Sequence, residues 1–445
     1  MTRVKAKADR PVHFPCFDGL RAMAALSVVM VHTTFVSGFT PKSSAGIYTA
    51  RLEIGVSVFF LISGFLLYRP FVVAHMTNRP DPAPIRFWLR RLLRIVPAYW
   101  LVLTVSAYWL HVVKLANWRS ALGHYGFAQI YRADWVLNGV TQAWSLCTEM
   151  SFYLFLPLYA AVVAMNWRSA RPGNRRSVIG PSVRPAVGPN RRLAVEPNRR
   201  LAIEMVGLVA LVLISLAYRA YVAHSGIHTA DYMYSWLPGY LDLFALGMAL
   251  AALSAWSQTT GRQAAWLSHP AMPWVSWAAA GVAYWGVAHI GIPSSPLYHT
   301  GMSLSYERQS LYGAFAFFLL LPAVFGPQDR SLVRRFLRSW PMASVGVISY
   351  GVYLWHQEWV TEVFKWEHLK LFDVSLGRLV LSVLVLSIAS SAISYFLLEK
   401  PVLSLKSRLR PSPGPSSGPA PESVAPTGRP APVGLGSRPK EGIIR

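Results

Sequence analysis

Charge is scarce in this chain, and acid is scarcer still. The 445 residues hold 19 Asp and Glu against 43 Lys and Arg, and the four types together make up only 14%. With 53% hydrophobic residues and a mean hydropathy of +0.34, that scarcity excludes an ordinary soluble domain. Cysteine is nearly absent. Cys16 and Cys147 fall in different segments and neither belongs to a metal-type cluster, so no metal is expected. The apolar stretches are continuous and not alternating, which argues against a transmembrane barrel. No cleavable leader is expected, because the first apolar run is too long and lacks a small-residue cleavage site. The net charge of +24 suggests a nucleic-acid partner until its distribution is considered. The basic residues sit between apolar runs and in the tails, as membrane orientation requires, so no nucleic acid is expected.

Long apolar runs dominate what is there. About ten are long enough to cross a bilayer: roughly 19–39, 54–74, 95–113, 144–166, 203–223, 237–256, 273–290, 309–326, 342–363 and 376–397. The expected fold class is all-α, a polytopic transmembrane helical bundle. Alternating sides put Arg3 and Lys5, the Arg79–Arg94 group, the Arg168–Arg200 group, the Arg330–Arg338 group and the Lys400–Arg410 group on one side. Glu53, Asp134, Asp231 and Glu307 fall on the other. The positive-inside rule then makes both termini cytoplasmic. The organisation expected is a cytoplasmic segment over 1–17, a membrane domain over 18–401 with a basic cytoplasmic loop at 167–202, and a Pro, Gly and Ser-rich disordered tail over 402–445. The loop holds a short tandem repeat, PNRRLAVE then PNRRLAIE over 189–204. Two copies are too few for a solenoid, and the loop reads as a disordered basic connector near anionic lipid.

Polar residues inside the runs carry the functional signal. Asp18-Gly19-Leu20-Arg21 opens the first run, and His32 follows eleven positions after Arg21. At 100° per residue, eleven positions is roughly 20° past three turns, so both lie on one stripe about 16.5 Å apart in rise. Two ionisable groups there suggest a polar path. The plain alternative makes Arg21 a membrane anchor and leaves His32 bonded to a neighbouring helix. Arg91 and Arg94, three apart before the third run, present paired forks suited to phosphate, or else anchor to headgroups. Trp144-Ser145-Leu146-Cys147-Thr148-Glu149 opens the fourth run, and Ser145, Phe152 and Tyr153 are placed on the face of Glu149. A carboxylate there can orient a histidine base or pair with an arginine for packing. In the ninth run Ser349, Tyr353 and His356 share a face, so His356 is a substrate contact or an interfacial histidine of an aromatic belt. The deduced topology puts Arg21, Arg91 and Arg94 at the cytoplasmic side. It puts His32, Glu149 and His356 in the outer half.

These motifs resemble those of acyltransferase family 3, the bacterial membrane O-acyltransferases of sugars and glycoconjugates. The resemblance covers about Phe17 to Pro401. It rests on Phe17-Asp-Gly-Leu-Arg21 with His32; Gly55-Val-Ser-Val-Phe59-Phe60-Leu-Ile-Ser63-Gly64-Phe65; Arg91-Leu-Leu-Arg94-Ile-Val-Pro97; Trp144-Ser145-Leu-Cys-Thr-Glu149; Ser349-Tyr350-Gly-Val-Tyr353-Leu-Trp-His356; and Phe396-Leu-Leu-Glu399-Lys-Pro401. Six pieces in the family's order make the signal specific. Many members carry an acid where Ser57 stands, and some carry an additional soluble esterase-like domain. The resemblance implies transfer from acyl-CoA, the donor co-substrate, to a hydroxyl of a sugar or glycoconjugate, in a bacterial plasma membrane. It implies His32 as the catalytic histidine and Arg21, Arg91 and Arg94 as essential arginines.

The combined expectation is an O-acyltransferase using a short-chain donor such as acetyl-CoA. Arg21, Arg91 and Arg94 bind the donor. His32, assisted by Glu149, deprotonates the acceptor or carries the acyl group transiently. Trp144, Ser145, Tyr353 and His356 contact substrate. The rival is a transporter of an acylated lipid or sugar without chemistry, but the internal repeat common in transporters is missing.

Overall fold

The computed structural model describes residues 14–136, 138–169, 189–225, 230–293, 302–328 and 331–408. The expectations for the N-terminal segment, the tail after 408 and loop residues 170–188 lie outside these. Among the described residues the chain is helical, with no strand. Each expected apolar run falls on a long helix: α1 Phe17–Val36, α2 Ile54–Thr77, α3 Pro84–Tyr108, α4 Trp144–Ser169, α5 Pro189–His224, α6 Leu241–Thr260, α7 Met272–His289, α8 Met302–Val324, α9 Trp340–Trp366 and α10 Leu376–Ser394. By length and composition, six stretches containing α1, α2, α4, α5, α6 and α10 can cross a membrane. Exposed Leu154, Leu158, Val162 and Met165 recur at helical spacing along α4 and form an apolar stripe suited to lipid.

Two helices begin earlier than hydropathy indicates. α3 starts at Pro84, eleven residues before the expected run. Pro84 occupies the first turn, where its missing N–H costs nothing, and the arginines extend the same helix. α5 starts at Pro189, so the part of the expected disordered connector from 189 onward is helix instead. The second repeat copy is held fast. Glu204 is buried, accepts from Tyr68 OH and lies 2.8 Å from His75 Nδ1, while His75 Nε2 lies 3.0 Å from Asp81. Arg200 donates to the His75 carbonyl at 2.7 Å.

Backbone approaches set the packing. α2 and α6 meet through reciprocal glycines: a Cβ on Gly64 would lie 2.3 Å from the Phe244 carbonyl oxygen, and one on Gly247 2.1 Å from that of Leu61. α1 packs along α9, which packs along α10, and α7 pairs with α8. α1, α2, α3, α4 and α9 together enclose the polar interior.

Candidate active site

Arg21 on α1, Ser63 on α2, Arg91 and Arg94 on α3, Ser145, Glu149 and Tyr153 on α4, and Tyr350 and Tyr353 on α9 line one cavity of about 90 Å³. Helical spacing brings them there. Arg91 and Arg94 lie one turn apart, as do Ser145, Glu149 and Tyr153. Glu149 accepts from Ser63 Oγ and from Tyr153 OH (2.8 Å). Arg21 pairs with Asp18 at 3.3 Å. Among the described residues no ion pair joins Glu149 to an arginine. Three guanidiniums line the cavity, and three carboxylates act on them: Asp18 and Glu149 beside Arg21, and buried Glu399 beside Arg94. Arg91 Nε is buried with no hydrogen-bond partner, and its guanidinium lies 5.7 Å from the Phe87 ring. A buried donor without a partner, beside two further guanidinium forks, makes a site for an anion.

His32 lies elsewhere on α1 and does not line this cavity. Its Nδ1 is 3.0 Å from the Val28 carbonyl and 3.0 Å from Nε2 of His356 on α9. His356 is fully buried, and its Nδ1 lies 2.7 Å from the Tyr353 carbonyl. The carboxylate whose charge acts on His32 is Glu53, just before α2. It accepts from Tyr312 OH at 2.9 Å and lies 3.8 Å from Arg308. Phe59 and Tyr353 face the cavity, their rings 5.8 Å apart, and the Tyr353 ring is 5.9 Å from that of His356. Tyr353, with Phe59 packed against it, thus stands as a wall between the cavity and His356.

The residues singled out in the sequence therefore divide into two groups. Arg21, Arg91, Arg94, Ser145, Glu149 and Tyr353 come together. Glu149 is bonded to Ser63 and Tyr153 and makes no hydrogen bond to His32, so the expected direct assistance is absent; its place in the histidine's surroundings is taken by His356 and Glu53. Trp144 packs against Tyr240, ring centroids 5.5 Å apart, outside the cavity. His356 turns to His32 and not to the cavity shared by Ser349 and Tyr353. Phe152 stacks on Phe244 at 4.0 Å, away from Glu149. Sequence reasoning gave no role to Tyr350, whose hydroxyl donates to the Ile95 carbonyl at 2.9 Å, or to Gln142, whose carbonyl holds Tyr353. Ser63 carried one signal: it precedes Gly64, whose contact with α6 turns the serine toward α4.

Comparison with known proteins gives a profile described as an acyltransferase domain, matching residues 14–399. A Komagataeibacter xylinus protein provisionally named membrane-bound transacylase BcsY is 27% identical over 410 residues, 88% of this chain and 83% of that one. The peptidoglycan O-acetyltransferase OatA of Listeria monocytogenes serovar 1/2a is 27% identical over 176 residues. That match covers 35% of this chain and a quarter of OatA's length. The O-acetyltransferase OatA of Staphylococcus aureus strain NCTC 8325 matches at 26% over 169 residues, again a quarter of its own length. No solved structure matches the chain.

Proposed function

This chain belongs to the acyltransferase family that its residues 14–399 match, and on that premise we propose that it moves a short acyl group from cytoplasmic acyl-CoA to a hydroxyl of a cell-envelope glycan, sugar or glycoconjugate. The names of the OatA relatives, acetyltransferases acting through oxygen, support the acceptor chemistry. The proposal includes a bacterial plasma membrane, ten crossings by α1–α10 and both termini in the cytoplasm. The arginines of the loops and helix ends support that orientation.

The observation that carries the reading is the arrangement on α1. One stripe joins an arginine in a cavity lined by three guanidiniums to a histidine with an open ring nitrogen, about 16.5 Å further along the helix. Arg21, Arg91 and Arg94 bind the donor's anionic part, since guanidinium forks suit phosphate and carbonyl oxygens. Glu149 holds Ser63 and Tyr153 in line and limits the repulsion among the arginines. For transfer, the donor's thioester passes the wall of Phe59 and Tyr353. His32 Nε2 takes the acceptor's hydroxyl proton, the oxygen attacks the thioester carbonyl carbon, the C–S bond breaks, and the thiolate leaves with the proton from His32.

The test is purified full-length protein in lipid vesicles, given radiolabelled acetyl-CoA and soluble peptidoglycan fragments or a sugar panel. Label is expected on an acceptor oxygen, and His32→Ala is expected to abolish it without loss of inserted protein. An unaltered compound crossing the vesicle membrane, with no label transferred, would instead make the chain a transporter.

A further inference from the structure

The two buried histidines constrain each other's protons. A carbonyl oxygen only accepts, so the Tyr353 carbonyl 2.7 Å from His356 Nδ1 requires a proton on that nitrogen. A neutral His356 then has a lone pair on Nε2. The atom facing that lone pair, His32 Nδ1 at 3.0 Å, must be the donor. The Val28 carbonyl, also 3.0 Å from His32 Nδ1, imposes the same requirement from the other side. A proton on His356 Nε2 would either meet a second N–H on His32 Nδ1 or require that nitrogen to be bare and unable to donate to Val28. Two backbone carbonyls on two helices therefore select one arrangement. His356 Nδ1–H points to Tyr353, and His32 Nδ1–H is shared by Val28 and His356. His32 Nε2 is left with its lone pair and no partner among the described residues. His356 is fully buried, whereas His32 is partly exposed, so His32 is the ring that solvent-side chemistry reaches.

We infer that His356 is a positioning residue: together with the Val28 carbonyl it holds His32 in the Nδ1–H tautomer and thereby leaves Nε2 as the base. This rests on the reading of His32 as the base, and it removes His356 from the substrate contacts. The arrangement does with a neutral imidazole what a carboxylate does in a serine-hydrolase triad. It fixes ring orientation and tautomer, and it accepts a stronger hydrogen bond when His32 becomes imidazolium. Burial explains the choice of a neutral acceptor, because a second carboxylate at this depth would cost far more to desolvate.

The test uses the full chain in nanodiscs with ¹⁵N-imidazole histidine, the His32 signals being assigned by their loss in His32→Gln. Wild type is expected to show a protonated Nδ1 and a bare Nε2 on His32. His356→Gln should keep that pattern, because its amide oxygen reaches the place of Nε2. His356→Leu leaves the Val28 carbonyl as the one remaining acceptor for the Nδ1 proton, so a fraction of the Nε2–H tautomer should appear beside the Nδ1–H form. Transfer of label from acetyl-CoA to envelope glycans in isolated membranes should fall about 100-fold in His356→Leu at saturating donor and return to within about tenfold in His356→Gln. A wild-type His32 protonated on Nε2, a His32 spectrum unchanged by His356→Leu, or unchanged transfer in that variant would each overturn the inference. Transfer surviving in His32→Gln would instead reject His32 as the base, while the spectra would still decide the tautomer lock.

Discussion

Ser145 Oγ and the Tyr353 hydroxyl stand 2.7 Å apart across the α4–α9 contact, and Tyr353 also donates to the Gln142 carbonyl at 2.8 Å. Both bonds hold the aromatic wall between the arginine cavity and the histidine pair. Tyr353→Phe removes the bonds and keeps the ring. It should cost about 1–3 kcal/mol of stability, read as a lower unfolding temperature, while the transfer rate changes less than about threefold. Tyr353→Ala removes the wall itself and should cut transfer at least about tenfold. An unchanged melting temperature with a raised acceptor KM in Tyr353→Phe would make the hydroxyl a substrate contact.

Arg91 and Arg94 line the same cavity as Arg21, with Arg91 Nε buried and unpartnered. Charge-assisted hydrogen bonds are worth roughly 1.5–3 kcal/mol, about ten- to hundredfold in affinity. Arg91→Lys and Arg94→Lys should each weaken binding of radiolabelled acetyl-CoA about tenfold, since lysine keeps the charge and loses the fork. The double alanine variant should lose more than about a hundredfold. Normal donor affinity in that variant would reduce both residues to headgroup anchors.

Hydropathy located all ten long helices because burial in lipid or in a helix bundle asks for the same apolar runs. It missed the starts of α3 and α5, where arginine-rich sequence forms helix without adding hydropathy. Within one helix, three- and four-residue spacing identified Arg91 with Arg94, and Glu149 with Ser145 and Tyr153. Between helices the sequence carried less. Glu149 turns to Ser63 and His32 to His356 because of which helices pack together, and that depends on contacts such as Asp18 with Gly346, 328 residues apart. Trp144 reads equally well as a sugar platform or as packing, and the Tyr240 ring beside it fills the role of partner.

The orientation is directly measurable. Reporter fusions at Gly173 and at the C-terminus should both report cytoplasm, because the positive-inside rule favours that side for arginine-rich stretches. A periplasmic signal at either point would reverse the placement of the donor cavity.

Glu149 and Tyr153 share a 2.8 Å hydrogen bond, one turn apart on α4. Glu149→Gln and Tyr153→Phe should each raise the donor KM, since both order the cavity that holds the arginines. Their effects should not add. A double-mutant cycle on donor affinity should give a coupling of about 0.5–3 kcal/mol. Glu149→Gln should leave the ¹⁵N spectrum of His32 unaltered, because no hydrogen bond joins them. A changed His32 tautomer in that variant would restore the direct assistance that the geometry lacks.

The backbone approach of α1 and α9 sets the spacing of the histidine pair they carry. A Cβ on Gly346 would lie 2.0 Å from the Asp18 carbonyl oxygen, a distance that only displacement of a helix can relieve. Rigid helices carry such a displacement along their length, and His32 and His356 lie on these same two helices, 3.0 Å apart. Gly346→Ala should therefore destabilise the protein by about 1–3 kcal/mol or more and lower transfer beyond what lost folded protein explains. The control is Gly281 on α7, where a Cβ would meet nothing within 4 Å. Gly281→Ala should be neutral or stabilise by up to about 1 kcal/mol, as alanine favours the helix. The measurements are thermal unfolding in nanodiscs and transfer normalised to folded protein. A Gly346→Ala variant as stable and active as Gly281→Ala would mean that the α1–α9 approach does not set the spacing of the two histidines.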